Sequence, residues 1–86
     1  MNEILEEIRN IGIVPVIKIE HEEDACPLAE ALIRGGIPCA EVTFRTKAAK
    51  GAIQAISERY PKMLVGAGTI LTREQVDGAV MAGAKF

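Results

Sequence analysis

The sequence predicts an α/β fold with a parallel sheet, on three observations. Strand-like apolar runs alternate with helical patterns at a spacing of roughly 25 residues. The connections are short, so each helix must cross back over the sheet in the right-handed sense. One run, residues 13–19, is apolar but for Lys18, as expected of a strand covered on both faces.

The elements follow in order. Ile4, Leu5, Ile8 and Ile11 recur at helical spacing and predict a short opening helix that Gly12 breaks. Ile13-Val14-Pro15-Val16-Ile17-Lys18-Ile19 predicts the first strand; Pro15 cannot donate to a ladder and marks the sheet's start or a bulge. His21-Glu22-Glu23-Asp24 places negative charge where the next helix begins, favourable against its dipole. Ala25, Leu28, Ala29, Leu32 and Ile33 form that helix's apolar stripe, Pro27 is tolerated near its first turn, and Gly35-Gly36 ends it. Residues 39–45 predict the second strand. A helix with Ala49, Ala52, Ile53, Ile56 and Tyr60 on one face follows, with Pro61 beyond its end. Met63-Leu64-Val65 opens the third strand, which runs into Gly66-Ala67-Gly68-Thr69. Thr72 and Gln75 form a capping box for a last helix whose expected core face is Val76, Ala79 and Val80. Two helix endings echo each other, Ala31-Leu32-Ile33-Arg34-Gly35-Gly36 and Ala79-Val80-Met81-Ala82-Gly83-Ala84, so a fourth strand is expected to begin at Lys85 and Phe86. Three parallel strands alone leave two open edges. The expectation is therefore the N-terminal portion of a longer barrel, 1–86 belonging to one truncated domain, with strands borrowed from other copies as the alternative.

Composition bounds the function. The chain has 86 residues, 49% hydrophobic and 26% charged, which describes a globular domain burying roughly 60–65% of its unfolded surface. Phe44, Tyr60 and Phe86 are its aromatic residues, so the core is aliphatic. A net charge of −2 without a Lys/Arg cluster argues against nucleic acid as a partner. No apolar stretch nears the roughly 18–20 residues that span a bilayer, and the acidic start lacks the basic region of a signal peptide. Cys26 and Cys39 read as reduced thiols of a cytoplasmic protein, and one histidine, His21, implies no metal site.

The most informative run is Ala40-Glu41-Val42-Thr43-Phe44-Arg45-Thr46. On a strand, Glu41, Thr43 and Arg45 would share one face while Val42 and Phe44 fill the other. Burying an unpaired carboxylate or hydroxyl costs several kcal/mol, so that face is expected to be a site for proton transfer or for an organic acid. From the residues alone a solvated cross-strand ion pair is an equal reading.

Val14-Pro15-Val16-Ile17, Glu41-Val42-Thr43-Phe44-Arg45-Thr46 and Val65-Gly66-Ala67-Gly68-Thr69, in this order and spacing, resemble the start of bacterial 2-keto-3-deoxy-6-phosphogluconate (KDPG) and 4-hydroxy-2-oxoglutarate aldolases. The resemblance implies a (β/α)8 TIM barrel, an opening helix and about three βα units of it lying in this chain, assembled as a homotrimer with chemistry at the C-terminal ends of the strands. It implies Glu41 as general acid/base, and Arg45 and Thr69 as ligands of the keto acid's carboxylate. Gly66 and Gly68 would let ligand approach closely beside Thr69. Thr43 would face substrate or bond inside the barrel, and Lys18, where some relatives carry Arg, would contact substrate. No cofactor is implied. The Schiff-base lysine and the phosphate-binding loops of the family lie beyond Phe86, so the 86-residue chain by itself is expected to be inactive. The alternatives are the sister aldolase for the galactonate epimer, which carries a Pro-Leu-Asn run after the glutamate, another phosphate-binding barrel such as a thiamine-phosphate synthase, or a non-catalytic strand-sharing module.

Overall fold

The computed structural model describes residues 2–86. In chain order it has α1 (Asn2–Ile11), β1 (Val16–Ile17), a 3₁₀ turn (Glu22–Asp24), α2 (Ala25–Arg34), β2 (Cys39–Thr43), α3 (Ala49–Arg59), β3 (Leu64–Gly68) and α4 (Arg73–Ala82). The strands form one parallel sheet in the order β1-β2-β3. This is an opening helix followed by three βα units, the α/β architecture the alternation predicts.

The alternation of side chains along each strand divides the sheet into two unlike faces. Ala40 and Val42 of β2 and Val65 of β3 point to the helices and are fully buried. Against them lie Ala25 and Ala29 of α2 and Ala49, Ala52, Ile53 and Ile56 of α3, one continuous core. Alanine at four of these six helical positions lets the helix backbones come close to the strands. The two isoleucines carry the volume, each contributing roughly 1.5–3 kcal/mol of burial.

The helix ends follow the local chemistry read from the sequence. Thr72 Oγ1 accepts the Gln75 backbone N–H at 3.1 Å, while Gln75 Oε1 accepts the Leu71 N–H at 2.7 Å. α2 and α4 close on the same Schellman arrangement. Gly36 is left-handed at φ 83°, with Ile37 N–H donating to the Leu32 carbonyl; Gly83 is left-handed at φ 106°, with Ala84 N–H donating to Ala79. The structural echo is thus shifted by one residue from the sequence echo: α2 uses its second glycine where α4 uses its single one.

Three expectations are corrected. The first strand covers Val16–Ile17 rather than residues 13–19. It lies at the sheet edge and begins behind Pro15, whose carbonyl accepts the Glu41 N–H at 2.8 Å but whose nitrogen can donate nothing. The second strand ends at Thr43, not Arg45: Phe44 N–H makes the last rung to the Gly68 carbonyl, and the chain then turns over residues 44–48 to enter α3. The core face of α4 is Ala79 and Ala82; Val76 and Val80 are 47% and 66% exposed. α4 rests against α3, with Ser57 Oγ donating to the Gly83 carbonyl, which turns its valines to a groove shared with Ala67, Ile70 and Phe86. On the free side of β3, Lys85 N–H donates to the Val65 carbonyl and Ala67 N–H to the Phe86 carbonyl, so residues 85–86 run where a fourth strand would lie. No helix among the described residues is long and apolar enough to cross a membrane.

Candidate active site

The sheet face turned away from the core carries the polar groups. The register pairs Glu41 with Val16 on one side and Gly66 on the other, and Thr43 with Gly68. Cys39, Glu41 and Thr43 therefore share a face with Gly66 and Gly68. Lys18 follows the C-terminal end of β1, Arg45 that of β2 and Thr69 that of β3, so one rim of the sheet gathers all three. In parallel α/β folds that rim is where ligands bind.

Glu41 is half-buried, and its carboxylate lies across β3 over the bare backbone of Gly68. The ring of Phe86 lies in the same way over Gly66. Both glycines were expected to admit ligand; in the structure each receives a side chain of the chain itself. Thr43 is buried, and its hydroxyl donates to the Ile17 carbonyl at 3.3 Å, tying β2 to β1. That is the hydrogen bond inside the barrel rather than a free hydroxyl.

Arg45 does not share the strand face with Glu41. It sits on the exposed turn after β2, and the ion pairs among the described residues are Lys18–Glu20 and Arg34–Glu30. The strand ends two residues short of it because the turn into α3 begins at Phe44. Freed from the pleat, the guanidinium is at the rim, where a long side chain can swing over a ligand. Lys18 is also exposed, with Nζ 3.2 Å from Glu20 Oε1. Surface pairs of this kind contribute about 0–1 kcal/mol and yield readily to an incoming anion.

Thr69 is the one non-glycine described with a positive φ, 55°. A β-branched residue in the left-handed region is an outlier, and residues so held, at about 1–3 kcal/mol each, concentrate at ligand sites. Two residues before Glu41, Cys39 Sγ donates to the Ile13 carbonyl at 3.0 Å, and burial pushes its thiol up from the usual range. It stays protonated and serves packing, not nucleophilic chemistry. No three His, Cys, Asp or Glu side chains among the described residues gather as metal ligands would.

Phe86 was read only as the start of a fourth strand, and its ring over Gly66, beside Glu41, was not foreseen. The available signal was Gly66 itself, a strand glycine that makes room for a side chain as readily as for a ligand.

The sequence that builds this sheet also matches a known family. The family model for KDPG and KHG aldolases matches residues 4–86, and the chain belongs to that family. It is 52% identical over 83 residues to the 2-dehydro-3-deoxy-phosphogluconate aldolase of Treponema pallidum (strain Nichols), covering 96% of this chain and 40% of that protein. Among solved structures, it superposes on the 2-keto-3-deoxy-6-phosphogluconate aldolase of Zymomonas mobilis ZM4, determined with 3-phosphoglycerate, with a TM-score of 0.86 and 43% identity over all of this chain and 41% of that one. It also superposes on the KDPG aldolase of Legionella pneumophila, captured with pyruvate as a covalent carbinolamine, with a TM-score of 0.80 and 49% identity over 85% of this chain and 35% of that one. The chain thus spans about 40% of the length of the curated relatives it matches. The fold is that of the TIM-barrel aldolases, here an opening helix and three βα units of it.

Proposed function

We propose that this chain supplies the N-terminal part of a single (β/α)8 domain of a class I aldolase. It cleaves 2-dehydro-3-deoxy-6-phosphogluconate to pyruvate and glyceraldehyde 3-phosphate, and 4-hydroxy-2-oxoglutarate to pyruvate and glyoxylate. The observation that carries the reading is Glu41, held half-buried at the C-terminal rim of the parallel sheet with its carboxylate over Gly68. The carbinolamine of the Legionella relative supports a Schiff-base route, and the 3-phosphoglycerate of the Zymomonas relative supports a phosphorylated ligand.

In this reading a lysine amine outside the chain attacks the keto carbon. Glu41 protonates the departing hydroxyl of the carbinolamine, which leaves as water, and the imine forms. The carboxylate then takes the proton from the substrate's C4 hydroxyl as the C3–C4 bond breaks; the aldehyde departs and the electron pair passes into the enamine. Returning that proton to C3 regenerates the imine of pyruvate, which water hydrolyses. Arg45 and Thr69 hold the keto acid's carboxylate, the guanidinium by its fork of donors, with Lys18 as a further contact and Thr43 fixing β2 beside them. No cofactor takes part. The protein works in the cytoplasm as a homotrimer; Leu71 and Met81, each 81% exposed, offer apolar surface for subunit contact.

None of the five lysines here serves as the nucleophile. Lys18 pairs with Glu20, Lys85 Nζ donates to the Pro61 carbonyl at 2.7 Å, Lys50 lies alongside Gly78, and Lys47 and Lys62 are exposed on turns. The test is pyruvate release from both keto acids, with borohydride trapping in the presence of pyruvate. The aldolase containing this chain should release pyruvate and be trapped, and the 86-residue chain should do neither. Trapping of the short chain, or none in the long one, would overturn the reading.

A further inference from the structure

Gly66 and Gly68 present a puzzle that their backbone does not solve. The glycines with left-handed φ are Gly12, Gly36 and Gly83; Gly66 and Gly68 lie in β3 without it. Any residue could adopt their conformation, and glycine inside a strand costs about 0.5–1 kcal/mol relative to alanine. The reason for them is spatial. A Cβ at Gly68 would lie 2.6 Å from Cδ and 3.0 Å from Cγ of Glu41, and nearer still to Oε2. A Cβ at Gly66 would run into the edge of the Phe86 ring, 2.6 Å from Cζ and closer to Cδ2 and Cε2.

The two clearances act on one side chain. Gly66 is the direct cross-strand partner of Glu41, so an upright Glu41 would stand over Gly66. The Phe86 ring occupies that ground, and its tail is fixed there by the Lys85 and Ala67 N–H bonds along β3. The bare backbone left open is Gly68, one rung further along the sheet, opposite Thr43. The carboxylate leans there, two residues or about 6–7 Å toward the catalytic rim.

We propose that Gly68 is a positioning residue for Glu41: with the Phe86 ring closing the place over Gly66, the missing side chain at 68 is what lets the carboxylate lie forward against β3 at the rim. This deepens the aldolase reading and rests on it. The flexible end of Glu41 gives way to a new methyl group more easily than the strand does, so a side chain at 68 shifts the acid and spares the fold.

The test compares Gly68→Ala with the parent aldolase, using Glu41→Ala as a second background. Gly68→Ala should melt within a few degrees of the parent. Its kcat should fall about 100-fold, the penalty of misplacing a reacting group by about 1 Å, while KM for the keto acid changes less than about threefold, since the carboxylate clamp is untouched. In the Glu41→Ala background, which leaves no acid beside the new Cβ, the same change should lower the residual kcat less than about tenfold, so the two effects do not add. Unchanged kcat in Gly68→Ala, or the same fold-loss in both backgrounds, overturns the proposal. Should Gly68→Ala fail to fold, Gly68→Ala with Glu41→Ala decides: recovered folding supports the clash with Glu41, and continued unfolding overturns it. The aldolase reading fails separately, when the parent protein releases no pyruvate.

Discussion

Replacing Thr69 by glycine separates stability from function. Thr69 has φ 55°, a conformation that costs a residue with a Cβ roughly 1–2 kcal/mol. Glycine removes that strain. It adds back about 0.5–1 kcal/mol through the freer unfolded chain, and the half-buried methyl group gives up about 0.4 kcal/mol of burial. The net change lies between about 0.4 kcal/mol against the variant and about 1 kcal/mol in its favour, so the melting temperature should move by no more than about −3 to +5 °C. Elsewhere in the sheet the same change is destabilising: Thr43→Gly would lose a buried side chain and the bond to Ile17. On the proposed carboxylate contact, Thr69→Gly in the aldolase also costs about 1.5 kcal/mol of binding, or roughly tenfold in KM. Scanning calorimetry and pyruvate-release kinetics read the two effects. A drop of more than about 4 °C would refute the strain argument, and an unchanged KM would refute the ligand role.

Ile53→Ala, at a fully buried position where α3 meets the sheet, should cost about 3 kcal/mol by denaturant titration, and a loss below about 1 kcal/mol would mean that this core is not formed as described. Gly78→Ala should stabilise by about 0.5–1 kcal/mol, since in the middle of α4 its Cβ would meet only the Lys50 side chain, Cδ at 3.5 Å and Cε at 3.8 Å. Cys39 should resist iodoacetamide in the native protein while Cys26, which is half-buried, reacts first. Because burial raises the Cys39 pKa above its unfolded value near 9, its contribution to stability is fully present below that pH and is lost as pH rises through the higher folded value. Alkaline unfolding should therefore come at higher pH in Cys39→Ala, and identical pH profiles would contradict the assignment.

Much of the fold was legible in the sequence because it rests on local chemistry. The α3 face of Ala49, Ala52, Ile53 and Ile56 is buried as its spacing requires, and the Thr72–Gln75 cap forms as its residue types require. What was not legible depends on neighbours. The length of β1 is set by its edge position as well as by its apolar run, and Arg45 leaves the strand because the last rung between Phe44 and Gly68 is decided by register. Val76 and Val80 follow helical periodicity but turn to an open groove, because α4 packs through Ala79 and Ala82. The site followed the same division. Glu41 lies on the sheet face its alternation predicts, while the contact of the Phe86 ring with Gly66 joins segments 20 residues apart that no local pattern encodes.

Glu41→Gln in the aldolase containing this chain tests the account most directly, by kcat for pyruvate release alongside a melting curve. The amide fills the same space over Gly68 but can neither take nor return a proton at the rim. A fall in kcat of about 10²- to 10⁴-fold with an unaltered melting temperature is the predicted result. A kcat within tenfold of the parent would contradict it, and another group would have to move the proton.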